Sequence, residues 1–214
     1  MLFCMKDSAH DKAHIYRVLY VALDIARFEE DIDYDVLVTA CLLHDIAREE
    51  QSANPSVCHA LSGGEKVYLF LKSAGWEEEK ACHVKACISS HRYRTGLQPR
   101  SIEAKILFDA DKIDATGTLG IARTLLYNSQ FEEPLYSMLE DNTVSDGSGD
   151  VTPSFFQEYR FKLEQLYGKF FTDRGMELAE SRRHSAVAFY TSMLEEVRAS
   201  YEPGKGLLKD LLDK

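Results

Sequence analysis

The sequence of 214 residues has no signal-type apolar segment near its start, because Lys6, Asp7, His10, Asp11 and Lys12 interrupt it. It has no apolar run long enough to span a bilayer. It has five cysteines, Cys4, Cys41, Cys58, Cys82 and Cys87, an odd number without a CxxC pair, so neither a disulfide framework nor a zinc ribbon is expected. Cys82, His83 and Cys87 lack the close pairing and the fourth ligand of a structural zinc. The pattern points to reduced thiols and a cytoplasmic protein. Positive charge is also short: 25 Lys and Arg stand against 35 Asp and Glu, a formal net charge of -10. That balance argues against binding a nucleic-acid polymer or an anionic membrane, which both need a basic footprint. A small phosphorylated ligand remains compatible, since a pocket or a bound cation can reverse the field locally. Strand-like alternation is missing, and so are internal repeats and low-complexity tracts.

What is present is helical periodicity, so the fold class expected is all-α. One helix is predicted over 11–30, with Val18, Val21 and Ile25 on one face. A second, over 35–49 (DVLVTACLLHDIARE), is apolar nearly all round and should be central. Asn54-Pro55-Ser56 opens a third that Gly75 stops, a fourth covers 77–91, and SIEAKILFDADKID and IARTLLYN supply two more. The stretch 141–153 (DNTVSDGSGDVTP) has no period and is expected to be a flexible loop or lid. Beyond it, Phe156, Tyr159, Leu163, Leu166 and Phe170 mark one amphipathic helix. Met176, Ala179, Tyr190, Leu194 and Val197 mark another, with a tail after Pro203 expected to be frayed or lightly docked. The expected organisation is a core over 1–140, the loop at 141–153, and C-terminal helices over 154–214 packing on the core.

Chemistry concentrates on inward faces. His44-Asp45 ends the most apolar helix, where a buried carboxylate needs a cation or a hydrogen-bond network. An isolated doublet of this kind is usually a helix end reaching solvent. Here other ligand-type residues share its setting. His14 extends the stripe Val18–Val21–Ile25, His91 extends Ala81–Val84–Ile88, and Asp111 stands among Ile106, Leu107, Phe108 and Ile113. His83 lies off the stripe and is the poorer candidate. Imidazoles and carboxylates converging from several helices are how bundles build metal sites. A mixed N/O set suits Mn, Fe, Co, Ni, Zn or Mg.

His14, then His44-Asp45 within LLHDIA, then Asp111 within DADKIDATGTLGIAR, resembles the HD-domain superfamily of metal-dependent phosphohydrolases, in particular small stand-alone bacterial and archaeal members. The resemblance implies a helical bundle with the ligands facing its centre, and His14, His44, Asp45 and Asp111 as ligands of a divalent metal. His59 (VCHALSGG) and His91 (SSHRYR) match two further histidines of a longer form of the motif, which implies either a second ion or a phosphate-pocket wall. The activity implied is hydrolysis of a phosphate ester or anhydride in a nucleotide or similar small metabolite, with Asp45 orienting a water that the metal activates. Several branches carry an acidic residue four positions after the doublet's histidine. Here that position is Arg48, so the acid/base role passes to Glu49 or Glu50 or stays unassigned, and Arg48 becomes a phosphate-holding candidate. Arg17, Arg92, Arg94 and Lys112 are further cations near the ligands, expected to bind substrate. Three other readings carry less weight: a di-iron oxygenase on the six-ligand set, a non-catalytic nucleotide-binding module, and a zincin-like site at HDKAH (His10 to His14), where Asp11 is a methylene too short for the usual Glu.

Overall fold

A computed structural model describes residues 11–92 and 96–213. His10, Cys4 and Arg94 therefore lie outside the described residues. The protein is all-α; among the described residues the sole β feature is an isolated bridge between Met138 and Val144. Two compact units emerge: one of 1–114 with 169–178, the other of 115–168 with 179–214.

The first unit carries the site. Its helices are α1 (Lys12–Ala26), α2 (Tyr34–Leu43), the short α3 (Arg48–Ala53), α4 (His59–Ser73), α5 (Glu78–Ser90) and α6 (Ile102–Ile113). Side-chain caps start three of them. Asp11 accepts from the His14 amide, Asp33 from those of Asp35 and Val36, and Ser101 from that of Ala104. The helix α4 ends in a Schellman motif: Gly75 takes φ +84°, its N–H bonds Lys72 O at 3.1 Å, and the Trp76 N–H bonds Leu71 O at 3.0 Å. Val18, Ala22, Ile25, Leu37, Cys41, Val67, Val84, Ile88, Ile106 and Ile113 are among the residues of its continuous buried core. Helix α2 touches α1, α5 and α6, the central place its composition implies.

One boundary differs from the sequence expectation in a way that matters. The second helix stops at Leu43 rather than running to 49. The Ile46 and Arg48 N–H groups bond back only three residues, to Leu43 O and Asp45 O, so the chain tightens into turns across His44–Ala47 before α3 begins. The doublet thus sits on a turn between two helices. Gly63 makes room for it: a Cβ there would stand 3.3 Å from Ile46 Cγ2 and 3.6 Å from His44 O.

A buried carboxylate also anchors the returning segment. Asp109 on α6 accepts from the Phe171 and Thr172 amides and from the Thr172 hydroxyl, at 2.7–3.1 Å. Thr172 then caps α9 (Asp173–Leu212), its Oγ1 accepting from Gly175 N at 3.0 Å.

The second unit holds α7 (Gly117–Asn128), α8 (Phe155–Glu158) and most of α9. Its core gathers Ile121, Val144, Phe155, Phe156, Tyr159, Leu163, Ala186 and Tyr190, with the Tyr159 and Tyr190 rings stacked. The stretch 141–153 is irregular and makes specific bonds. Tyr190 Oη donates to Asp146 O at 2.5 Å and Arg198 Nη2 to Val144 O at 2.9 Å. The helix expected from Phe156 onward is short: a π-turn over Tyr159–Leu163 follows it, with Glu164 N bonded to Tyr159 O. The tail after Pro203 is helical to Leu212 rather than frayed.

Candidate metal centre

Six side chains expected to act together meet inside the first unit. His14 comes from α1, His44 and Asp45 from the turn after α2, His59 from the start of α4, His91 from the end of α5, and Asp111 from α6. The four histidines and Asp45 are buried, and Asp111 is 19% exposed. They form two groups whose donor atoms all lie within 4.8 Å of one another: His14, His44 and Asp111, and Asp45, His59 and His91.

Asp45 joins them. Its Oδ2 lies 3.6 Å from both His14 Nε2 and His44 Nε2, and its Oδ1 lies 3.2 Å from His59 Nε2 and 3.8 Å from His91 Nε2. Asp111 Oδ1 is 3.6 Å from His14 Nε2 and 4.0 Å from His44 Nε2, and the two Nε2 atoms are 3.3 Å apart. Donor atoms each about 2.0–2.2 Å from one ion stand roughly 3–4 Å from one another, so these spacings fit a shared cation.

The far side of each ring fixes where its proton sits. His14 Nδ1 meets Asp114 Oδ2 at 2.7 Å, His44 Nδ1 meets Cys41 O at 2.8 Å, and His91 Nδ1 meets Ile88 O at 2.6 Å. Carbonyls and carboxylates only accept, so each of these imidazoles, when neutral, carries its proton on Nδ1 and turns a lone pair inward from Nε2. His59 is different. The Gln51 amide is best oriented with its nitrogen donating to His59 Nδ1 at 2.5 Å and its oxygen accepting from Arg92, and Arg48 Nη1 also stands 3.2 Å from Nδ1. Two donors on Nδ1 place the ring proton on Nε2, aimed at Asp45 Oδ1. The group of His14, His44, Asp45 and Asp111 is therefore a lone-pair and carboxylate set, whereas His59 presents a proton to Asp45.

Burial raises the Asp45 carboxyl, but the imidazoles of His44, His14 and His59 beside it, together with Arg48, outweigh that and hold the group well below the usual carboxylate range. Burial raises Asp111 too, and Lys112 with the neighbouring imidazoles brings it well below that range. His91 is pushed down to about 3, first by burial and then by the charges of His44 and His59. These directions share one sign for stability. An unfolded histidine takes a proton near pH 6.5, whereas folded His91 resists it until about pH 3. The apo protein is therefore expected to lose stability progressively as pH falls below about 6.5, with the two aspartates adding to the loss at lower pH. Chemical denaturation between pH 7.5 and 5 should show this decline, and His91→Gln should flatten it; an equal slope in both proteins would contradict the assignment.

The cations expected to bind substrate have different surroundings. Lys112 Nζ lies 2.7 Å from Asp111 Oδ2 and 3.3 Å from His91 O, Arg48 contacts His59, and Arg92 Nη1 reaches Gln51 and the Cys58 sulfur. The fork of Arg17 is engaged by Asp114, with Nε–Oδ1 at 2.7 Å and Nη2–Oδ2 at 2.9 Å. Glu49, the expected acid/base candidate, is exposed on α3 and belongs to neither group. Glu50 is spent on Ser62 and Lys66. His83 pairs with Glu103 at 3.1 Å, outside both groups. Cys41, Cys58, Cys82 and Cys87 are free thiols.

Asp114, Gln51 and the close approach at Gly63 were missed from the sequence. Asp114 was the detectable one, because it follows Asp111 by three residues and so shares its helix face.

The HD domain family model matches residues 12–116, the span that holds all six side chains. A solved protein from an uncultured Thermotogales bacterium, described as a predicted HD superfamily hydrolase, is 30% identical, with 89% of this chain and 83% of that chain covered and a TM-score of 0.59. The chain belongs to the HD superfamily. Bacillus subtilis YpgQ, an uncharacterized protein, is 29% identical over 90% of this chain and 86% of its own length. The structure of YpgQ in complex with ADP matches at a TM-score of 0.66, over 88% of this chain and 90% of that chain. An HD-superfamily hydrolase from Bacillus thuringiensis matches at 27% identity and a TM-score of 0.64, with 89% and 87% covered. Among the described residues of this HD protein, no helix is long and apolar enough to cross a membrane.

Proposed function

We propose that this HD protein is a metal-dependent phosphohydrolase acting on a phosphate ester or anhydride of a nucleotide or similar small phosphorylated metabolite. One observation carries the reading: the inward lone pairs of His14 and His44, 3.3 Å apart, stand 3.6–4.0 Å from the carboxylates of Asp45 and Asp111, a concentration of electron density that calls for a cation. Those four residues would hold one divalent ion. When bound, such an ion supplies charge neutralisation at a phosphoryl group and acidification of water.

The remaining residues have separate tasks. Asp45 orients the attacking water, since its second oxygen is already steadied by the His59 proton. Arg48, Arg92 and Lys112 stand beside His59, Gln51 and Asp111 and would bind phosphoryl oxygens, offsetting negative charge as it develops. His91, with its lone pair facing Asp45 and His59, is the residue through which a second ion could be held. The nucleotide class is supported by the ADP complex of YpgQ, together with a cationic rim on a chain that is acidic overall.

The test is release of phosphate and pyrophosphate from a panel of nucleoside mono-, di- and triphosphates and simple sugar phosphates, with Mn2+, Co2+, Mg2+ or Zn2+ supplied singly. Metal-dependent release from at least one nucleotide is expected. Oxygen consumption by the iron-loaded protein without phosphate release would favour the oxygenase reading. Tight nucleotide binding without turnover under every metal would favour a binding module.

A further inference from the structure

Asp114 and Arg17 lie outside the proposed ligand set, yet they are built around it. Asp114 caps the C-terminus of α6, one turn beyond Asp111, and is 2% exposed. Its Oδ2 accepts the His14 Nδ1 proton at 2.7 Å, and both its oxygens are gripped by Arg17, one turn beyond His14 on α1. Two adjacent turns of α1 thus clasp one carboxylate of α6, while the same two helices supply His14 and Asp111, 3.6 Å apart.

We propose that Asp114 and Arg17 form a positioning pair for His14: the carboxylate fixes the imidazole's tautomer and direction, and the guanidinium fixes the carboxylate. The inference rests on the metal reading above. A carboxylate can only accept, so it forces the proton onto Nδ1 and leaves Nε2 free to ligate. A buried carboxylate beside a neutral ligating imidazole needs a permanent counter-charge, which Arg17 supplies. The planar fork also holds both oxygens at once, which a lysine ammonium cannot do. Arg17 is accordingly assigned away from substrate binding.

The experiment is titration of the full chain with Co2+, followed by its visible absorption. Asp114→Asn is expected to weaken Co2+ binding about 10- to 100-fold, because an amide can turn its NH2 toward Nδ1 and drive the ring proton onto Nε2. Arg17→Lys should weaken it by a smaller factor and change the absorption band. In a His14→Ala background, Asp114→Asn should have no further effect on Co2+ affinity, since the ring it positions is gone; a merely structural role would cost affinity equally in both backgrounds. Unchanged Co2+ affinity in Asp114→Asn, or equal losses with and without His14, overturns the proposal. If Asp114→Asn does not fold, Arg17→Lys decides alone, and wild-type affinity there overturns it. Failure of the wild-type chain to bind Co2+ would overturn the metal reading and this inference with it, an outcome visible before any variant is made.

Discussion

Chelation of the proposed metal is expected to lower the proposed phosphohydrolase activity by about three orders of magnitude, and one equivalent of Mn2+ or Co2+ should restore it. The size follows from what the protein lacks without the ion. Its cations on the rim can attract phosphate, but no side chain in either group acidifies water, and the inward surface is two ionised carboxylates and several lone pairs. Several kcal/mol of charge stabilisation is the usual contribution of such an ion, and about 4 kcal/mol corresponds to a thousandfold in rate. Stability should move with activity. The cation binds the assembled site and not the unfolded chain, so a metal concentration one hundred times its Kd should stabilise the fold by about 2.7 kcal/mol. A chelated protein that keeps both its rate and its melting temperature would contradict the proposal.

Asp45→Asn is expected to be the most damaging single substitution at the site, with kcat/KM reduced at least about a thousandfold. Among the described residues, Asp45 is the carboxylate that faces all four imidazoles, with Oδ2 toward His14 and His44 and Oδ1 toward His59 and His91. The amide keeps the volume but removes the charge, and it turns one acceptor into a donor pointed at lone pairs. Circular dichroism should show the helices intact, so the loss is chemical and not a loss of fold. Glu49→Gln provides the contrast. That side chain is exposed and outside both groups, so its rate should stay within about twofold of the wild type, as for most surface substitutions. A strong effect of Glu49→Gln with a weak effect of Asp45→Asn would reverse the roles assigned here.

The helical class and the approximate spans of α1, α4, α5 and α6 were legible in the sequence because apolar residues recur at helical spacing and Gly75 marks a stop. The inward placement of His14, His44, His91 and Asp111 was legible for the same reason: each extends an apolar stripe or lies in or at the end of an apolar run; His59 was reached only through the resemblance to the HD superfamily. The break after Leu43 was not legible. LLHDIARE holds no Gly or Pro to mark a helix end, and the close approach of α4 to the turn at Gly63 appears only in the folded chain. The assignment of imidazole protons was out of reach as well, since it depends on Cys41 O, Ile88 O, Gln51 and Asp114, partners that only the folded chain brings to the rings. Beyond residue 155, amphipathic spacing identified the buried residues Phe156, Tyr159 and Leu163 but not the π-turn that carries two of them, because periodicity reports which residues face inward and not which backbone hydrogen bond holds them there.

An anomalous-difference map from a crystal grown with Mn2+, recorded above the manganese edge, bears most directly on the shared cation. A strong peak within about 2.0–2.3 Å of His14 Nε2, His44 Nε2 and carboxylate oxygens of Asp45 and Asp111 is expected. A map with no peak among these four residues, in a protein that nevertheless hydrolyses nucleotides, would contradict the account at its base.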